Sequence, residues 1–256
     1  MFSDMAASKI LILGGTTEAR KLAEALAPRK DLDVTVSLAG RTQEPRPLPV
    51  KTRHGGFGGV DGLAAYLKAE DIALLVDATH PFAQRMTPNA KAAAELTSTP
   101  LVCLSRPGWV PESGDDWRMA KSIEDAVEKL GAAPRRVFLA IGRQEAHVFS
   151  QAPQHFYLAR SVDPIDPPIA APDCRYILAK GPFTLEDELG LFTEHAIDMV
   201  VSKNSGGAAT YAKIEAARRL GLAVVMVERK RVDGAACVDT VESALAFIDH
   251  ALAPAK

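Results

Sequence analysis

The apolar positions of this chain fall into short unbroken runs, separated by stretches in which they recur every three or four residues. Ten runs read as strands: Ile10–Leu13, Val34–Leu38, Val50–Arg53, Ile72–Asp77, Leu101–Leu104, Val137–Ile141, Phe156–Arg160, Tyr176–Lys180, Met199–Lys203 and Ala223–Glu228. Most are continuous rather than alternating, as parallel strands buried on both faces are. Between them the period changes. Ala19, Leu22, Ala23 and Leu26 stand at i, i+3, i+4 and i+7, one face of a helix. Val60, Leu63, Ala64 and Leu67 share a face too, as do Ile123, Ala126, Val127 and Leu130 behind a cap at Ser122. Thr184 with Asp187 reads as a capping box before Leu185, Leu189 and Phe192. Tyr211, Ile214 and Arg218 follow a glycine pair, and Thr240 caps a last helix carrying Val241, Ala244, Leu245 and Ile248.

Strands alternating with helices predict an α/β fold with parallel sheets. The alternation breaks at Arg106–Arg118, which holds Pro107, Gly108, Pro111 and Gly114. That break divides the chain into 1–108 and 109–256, two halves with about five strands each and no close repeat between them. At 256 residues the length suits such a pair, and 47% hydrophobic with 24% charged residues is ordinary globular composition. A net charge of −2 argues against a general nucleic-acid or membrane-surface binder. No apolar run is long enough to span a bilayer and no positively charged, apolar leader is seen; a cytoplasmic location is expected from cysteines that suggest no disulfides. Cys103, Cys174 and Cys237 lie far apart without ligand spacing, which predicts neither disulfides nor a metal site.

Ligands of open α/β sheets bind beyond the carboxyl ends of the strands, so the residues there are the candidates. The first strand runs into Gly14-Gly15-Thr16-Thr17-Glu18, and the helix begins at once. Glycine lets an anion approach the backbone, and the first helical amides have no partner within the helix. The third glycine of the dinucleotide fingerprint is missing, so a plain strand-to-helix turn is the alternative. The second strand ends Ser37-Leu38-Ala39-Gly40-Arg41-Thr42 without an acid for ribose hydroxyls; Arg41 suits a 2′-phosphate, favouring NADP over NAD, with a solvated loop arginine the alternative. Gly55-Gly56-Phe57-Gly58-Gly59 would let backbone lie against a flat cofactor or pyrophosphate, or is a flexible turn. Thr79-His80-Pro81-Phe82 offers an imidazole as proton donor or carboxylate partner, with a structural histidine as the alternative. In the second half, Gly142-Arg143, Lys180-Gly181 and Lys203-Asn204-Ser205-Gly206-Gly207 gather glycines and cations suited to carboxylates or phosphates, with a plain turn the alternative for the last of these. Tyr176 and Lys180 have the Tyr-x-x-x-Lys spacing of short-chain dehydrogenases, but on a strand that spacing separates them by about 13 Å.

Several of these stretches, in this order, resemble the precorrin-6A reductase family of cobalamin biosynthesis over nearly the whole length. They are Ile12–Arg20, Arg53–Gly58, Asp77–Ala83, Arg106–Trp109, Ile141–Gln144, Lys180–Phe183 and Ser202–Gly207. The resemblance implies two Rossmann-like domains: residues 1–108 bind NADPH, and 109–256 contribute to a cleft for a tetrapyrrole rich in acetate and propionate groups. It implies hydride transfer from the nicotinamide to a macrocycle double bond, giving precorrin-6B, and hand-over to the next pathway methyltransferase. Under it, Gly14, Gly15, Thr16, Thr17, Glu18, Ser37, Gly40, Arg41, Thr42, Gly55, Gly56, Phe57, Thr79 and His80 are expected around the cofactor, with His80 also the candidate proton donor. Pro81, Phe82, Arg85, Arg106, Gly142, Arg143, Lys180, Gly181, Lys203, Asn204, Ser205, Gly206 and Gly207 are expected around the substrate. Competing readings are a cobalt-precorrin-6A reductase, a nucleotide-sugar reductase or epimerase, and an NADP(H) sensor without turnover. Against the epimerase stands the lack of a helical Tyr-x-x-x-Lys; against the sensor stand the glycines and cations of the second half.

If Arg41 meets the 2′-phosphate, Arg41→Ala weakens NADPH binding far more than NADH binding. Equal losses for the two cofactors, measured by fluorescence titration, would remove Arg41 from that role.

Overall fold

Every strand pairing among the described residues (7–39, 47–83, 85–229 and 236–253) of the computed structural model is parallel. The chain opens with β1 (Ser8–Leu13), α1 (Thr17–Leu26), β2 (Leu32–Leu38), β3 (Lys51–His54), α2 (Val60–Ala69), β4 (Leu74–Asp77), α3 (Met86–Thr97) and β5 (Leu101–Leu104). It continues through β6 (Asp116–Ala120), α4 (Ile123–Glu128), β7 (Arg136–Ala140), β8 (Phe156–Ser161) and β9 (Cys174–Leu178). Then come α5 (Leu185–Glu194), β10 (Met199–Lys203), α6 (Ala212–Arg219), β11 (Ala223–Val227), β12 (Ala236–Val238) and α7 (Val241–Ala251). The expected caps form: Ser122, Thr184 and Thr240 each accept a backbone amide three residues on, at 3.1–3.2 Å.

Two six-stranded sheets result, ordered β12-β5-β4-β1-β2-β3 and β6-β11-β10-β7-β8-β9. The first belongs to a unit made of the described residues up to Pro107 and those from 236 onward; the second belongs to Gly108–Arg229. In the first unit, Ile10, Ile12 and Val76 face α1 and α7, where Leu22, Leu26 and Ile248 are fully buried. Leu11, Leu13 and Leu75 face α2 and α3. Continuous apolar strands are thus covered on both sides, as their sequence requires. In the second unit Phe138, Leu158 and Val200 pack against Phe192 of α5 and Ile214 of α6. No helix of the described residues is long and apolar enough to cross a membrane.

The expected break at residue 108 coincides with the start of the second unit, but the assignment of everything after it to one half needs correction. β12 pairs with β5, and Ala244 and Ile248 of α7 complete the core beside α1. Each sheet therefore has six strands rather than about five. The two extra strands carry weak patterns. β6 reads Asp116-Trp117-Arg118-Met119-Ala120 and is largely exposed, and β12 is three residues long; both are edge strands. Tyr176 lies within β9 and Lys180 beyond it, in line with setting the dehydrogenase spacing aside.

Because Ile248 closes the first core, Ile248→Ala is expected to destabilise the first unit by about 2–5 kcal/mol in urea unfolding. An unchanged midpoint would show that α7 does not belong to that core.

Candidate functional site

In the first sheet the chain moves from β1 outward to β2 and β3, and from β4 outward the other way to β5. The order reverses between β1 and β4, and in such sheets the crevice outside that reversal takes the ligand. Its two lips are Gly14-Gly15-Thr16 and Ala78-Thr79-His80. The Thr16 hydroxyl joins them: it donates to the Ala78 carbonyl at 2.8 Å and accepts the Ala19 amide at 3.1 Å, capping α1. A Cβ on Gly14 would stand 2.8 Å from Val36 Cγ1, so β2 demands glycine there. Gly15 differs. Its φ is +119° and nothing lies within 4 Å of an added Cβ, so the backbone faces open space where the helix dipole favours an anion. Thr17 and Glu18 follow in the first turn of α1. Glu18 would repel a phosphate, but Arg106 sits 2.6 Å from its carboxylate. Arg106, expected on the substrate, thus meets an acid of its own unit.

The glycine run after β3 is held from beneath. Arg53 donates to Ser37 Oγ at 2.7 Å, to the Gly55 carbonyl at 3.1 Å and to the Gly56 carbonyl at 3.3 Å. Its guanidinium lies 3.9 Å from the Phe57 ring centre and 5.2 Å from that of Tyr66. Ser37 is engaged by this arginine, while Gly55, Gly56, Gly58 and Gly59 each look onto open space. In α2, Gly62 is forced, because an added Cβ would fall 1.7 Å from the Phe57 carbonyl oxygen. Arg53 and Gly62 were missed as site residues. The signal for Arg53 was its cross-strand position: Ser37 and Arg53 are register partners. Gly40, Arg41 and Thr42 lie outside the described residues.

After β4, Asp77 is buried, and its Oδ1 accepts both the amide and the hydroxyl of Thr79, at 3.1 and 2.7 Å. Its Oδ2 has no hydrogen-bond partner among the described residues. The turn so fixed presents His80, exposed, with Nδ1 accepting the Phe82 amide at 3.2 Å. In the neutral ring the proton therefore sits on Nε2. Pro81 and Phe82 belong to the same turn, and Arg85 follows, exposed, before α3.

The second sheet reverses order between β7 and β10. Here the lips are Gly142-Arg143 and Asn204-Ser205-Gly206-Gly207, with positive φ at Gly142, Gly206 and Gly207. Lys203 forms an ion pair with Glu145 across the two lips. Asn204 is locked to Trp109: its Oδ1 accepts the Trp109 amide at 2.7 Å and its Nδ2 donates to the Trp109 carbonyl at 2.9 Å. Lys180 and Gly181 follow β9, farther along the sheet. Beneath the loops is a charged group that the sequence reading missed. Arg160 donates to Glu188 Oε1 at 2.6 Å, Glu188 Oε2 has no partner among the described residues, and Lys213 is 3% exposed. Burial, then the nearby Arg160 charge, push the Lys213 amine down to about 7 against the pull of Glu188. Nothing in the local sequence marks this lysine, since only packing buries it. No cluster of three His, Cys, Asp or Glu residues among those described is arranged to hold a metal ion.

The precorrin-6x reductase CbiJ/CobK family matches residues 9–249. A precorrin-6A reductase from Sinorhizobium sp is 57% identical over 253 residues, covering 99% of this chain and 97% of the relative. A second, from Rhodobacter capsulatus, is 44% identical over 248 residues, covering 96% and 98%. The solved structure of a CobK precorrin-6A reductase superposes with a TM-score of 0.90 at 44% identity, covering 96% of this chain and 98% of the other.

Arg53→Ala removes three hydrogen bonds and the cation stacked on Phe57. With the side chain partly exposed, the expected loss is about 1–2 kcal/mol, with faster amide exchange confined to the glycine loop. Unaltered exchange there would show that Arg53 does not hold the loop.

Proposed function

The chain belongs to the precorrin-6x reductase CbiJ/CobK family, and from that premise we propose that it reduces precorrin-6A to precorrin-6B with NADPH in cobalamin biosynthesis. The observation that carries this reading is the first order reversal, where Gly15 leaves its backbone open to an anion at the start of α1. A dinucleotide pyrophosphate fits that cradle: Gly14 brings the turn close to β2, Gly15 leaves room, and the first-turn amides of Thr17 and Glu18 supply donors. The Glu18 charge is offset by Arg106. Arg53 sets the Gly55–Gly56 backbone along the same sheet edge, where a flat group can lie against it. When bound, the nicotinamide supplies a hydride, so the protein's task is to hold, orient and screen.

His80 ends the β4 lip and is assigned the proton that completes the reduction: the charged imidazolium gives it from Nε2, having released the Phe82 amide when Nδ1 took up its own proton. In the second unit, Arg143, Lys180, Lys203 and the Ser205–Gly207 backbone are assigned to the substrate carboxylates. Charged and backbone donors spread along one sheet edge suit a ring with acids around its rim. Lys203 reaches such a carboxylate by exchanging Glu145 for it.

Anaerobic NADPH oxidation, followed at the nicotinamide absorbance, tests the activity. It is expected only with precorrin-6A present, and the product gains two hydrogens by mass. Tight NADPH binding without consumption, with either precorrin-6A or its cobalt form, would favour the sensor reading. Lys203→Ala is expected to weaken tetrapyrrole binding about tenfold, the size of one charge-assisted hydrogen bond, while NADPH affinity stays as it was. Unchanged tetrapyrrole affinity would remove Lys203 from the substrate.

A further inference from the structure

We propose that Lys213 is a proton-linked positioning residue for the second unit's anion loop: a carboxylate docking on Ser205–Gly207 draws a proton onto its amine. This rests on the reading above that the loop takes substrate carboxylates.

Both contacts of the amine lead to that loop. Nζ donates to the Thr210 carbonyl at 2.6 Å, in the short 3-10 helix Ala208–Thr210 that follows Gly207. It also lies 4.6 Å from the Trp109 ring centre. Trp109 in turn donates from its indole to the Gly207 carbonyl at 3.0 Å and is locked at its backbone to Asn204. The loop is therefore supported from beneath by one lysine and one tryptophan.

The charge balance at this lysine is incomplete. Facing it are Arg160 from β8 and Glu188 from α5. Arg160 occupies Glu188 Oε1 and is itself stacked 3.6 Å from the centre of the Phe183 ring. β11 offers only Ala223, Val224, Val225, Met226 and Val227, and the Tyr211 hydroxyl is taken by Arg218 and Glu112. With one carboxylate for two cations, a charged Lys213 is only partly compensated. It also sits in the first turn of α6, where the helix dipole disfavours a cation. These costs agree with an amine that is largely neutral above pH about 7. An anion on the loop supplies the missing negative charge and favours the ammonium. By linkage, protonation of Lys213 then favours the anion by the same factor. No bond to carbon changes; a proton passes from solvent to Nζ.

The test is calorimetric titration of the NADP⁺-loaded enzyme with precorrin-6A, without oxygen, at pH 8 in two buffers of unequal ionisation enthalpy. The wild type is expected to take up more protons per tetrapyrrole bound than Lys213→Arg, which stays charged throughout. Lysine Cε carbon NMR of the unmutated enzyme reads the same event: one lysine titrates near 7, and its midpoint moves upward with the tetrapyrrole bound. Equal uptake in both proteins, or a midpoint that does not move on binding, would overturn the inference while leaving the reductase reading intact. A tetrapyrrole that does not bind the wild type at all would instead overturn the reading of the loop, and this inference with it.

Discussion

One hydroxyl ties the two lips of the first unit's order reversal together. Thr16 donates to the Ala78 carbonyl and accepts from Ala19, so one side chain caps α1 and joins the ends of β1 and β4. Each bond alone contributes about 1 kcal/mol, but together they fix where the first amides of α1 stand relative to the sheet edge. Gly14 must then pass close to Val36, and Gly15 must turn with positive φ. Parallel strands bring further lips to that same edge: Gly55 beyond β3, His80 beyond β4 and Ser105 beyond β5.

The second unit uses the same parallel geometry with different chemistry. Its order reversal lies between β7 and β10, and its lips are again glycines with positive φ. Instead of a hydroxyl, an ion pair between Lys203 and Glu145 spans the lips. Instead of a capping threonine, a buried lysine and Trp109 support the loop before α6. The first arrangement leaves uncharged backbone facing open space at Gly15. The second carries charge that an arriving carboxylate can redistribute.

Most strands were legible because both of their faces are buried, which leaves unbroken apolar runs such as Leu74–Asp77 and Met199–Lys203. The glycine lips were legible because turns of this kind restrict residue type. What escaped depends on pairing across long sequence distances. β12 is three residues long, and only its contact with β5 assigns it to the first sheet. α3 is built on Ala90, Ala93 and Ala94, small residues that give a faint apolar stripe. Arg53 was visible as a strand residue, yet its hold on Gly55 and Gly56 follows from register with Ser37. Lys213, Arg160 and Glu188 stand on three separate elements, so no local pattern announces that they meet. The functional roles assigned to Gly14–Glu18 and Ser205–Gly207 came from strand-end position, and the structure places both stretches at the two order reversals.

The proposed activity requires that a nicotinamide held by the first unit pass hydride directly to the tetrapyrrole. It is tested most directly by turnover with NADPH deuterated at both C4 positions, in ordinary water. Direct transfer gives precorrin-6B heavier by about one mass unit than the product from unlabelled NADPH, since one C4 hydrogen moves to carbon without exchange. A reduced tetrapyrrole without deuterium, or no reduced tetrapyrrole, would contradict it.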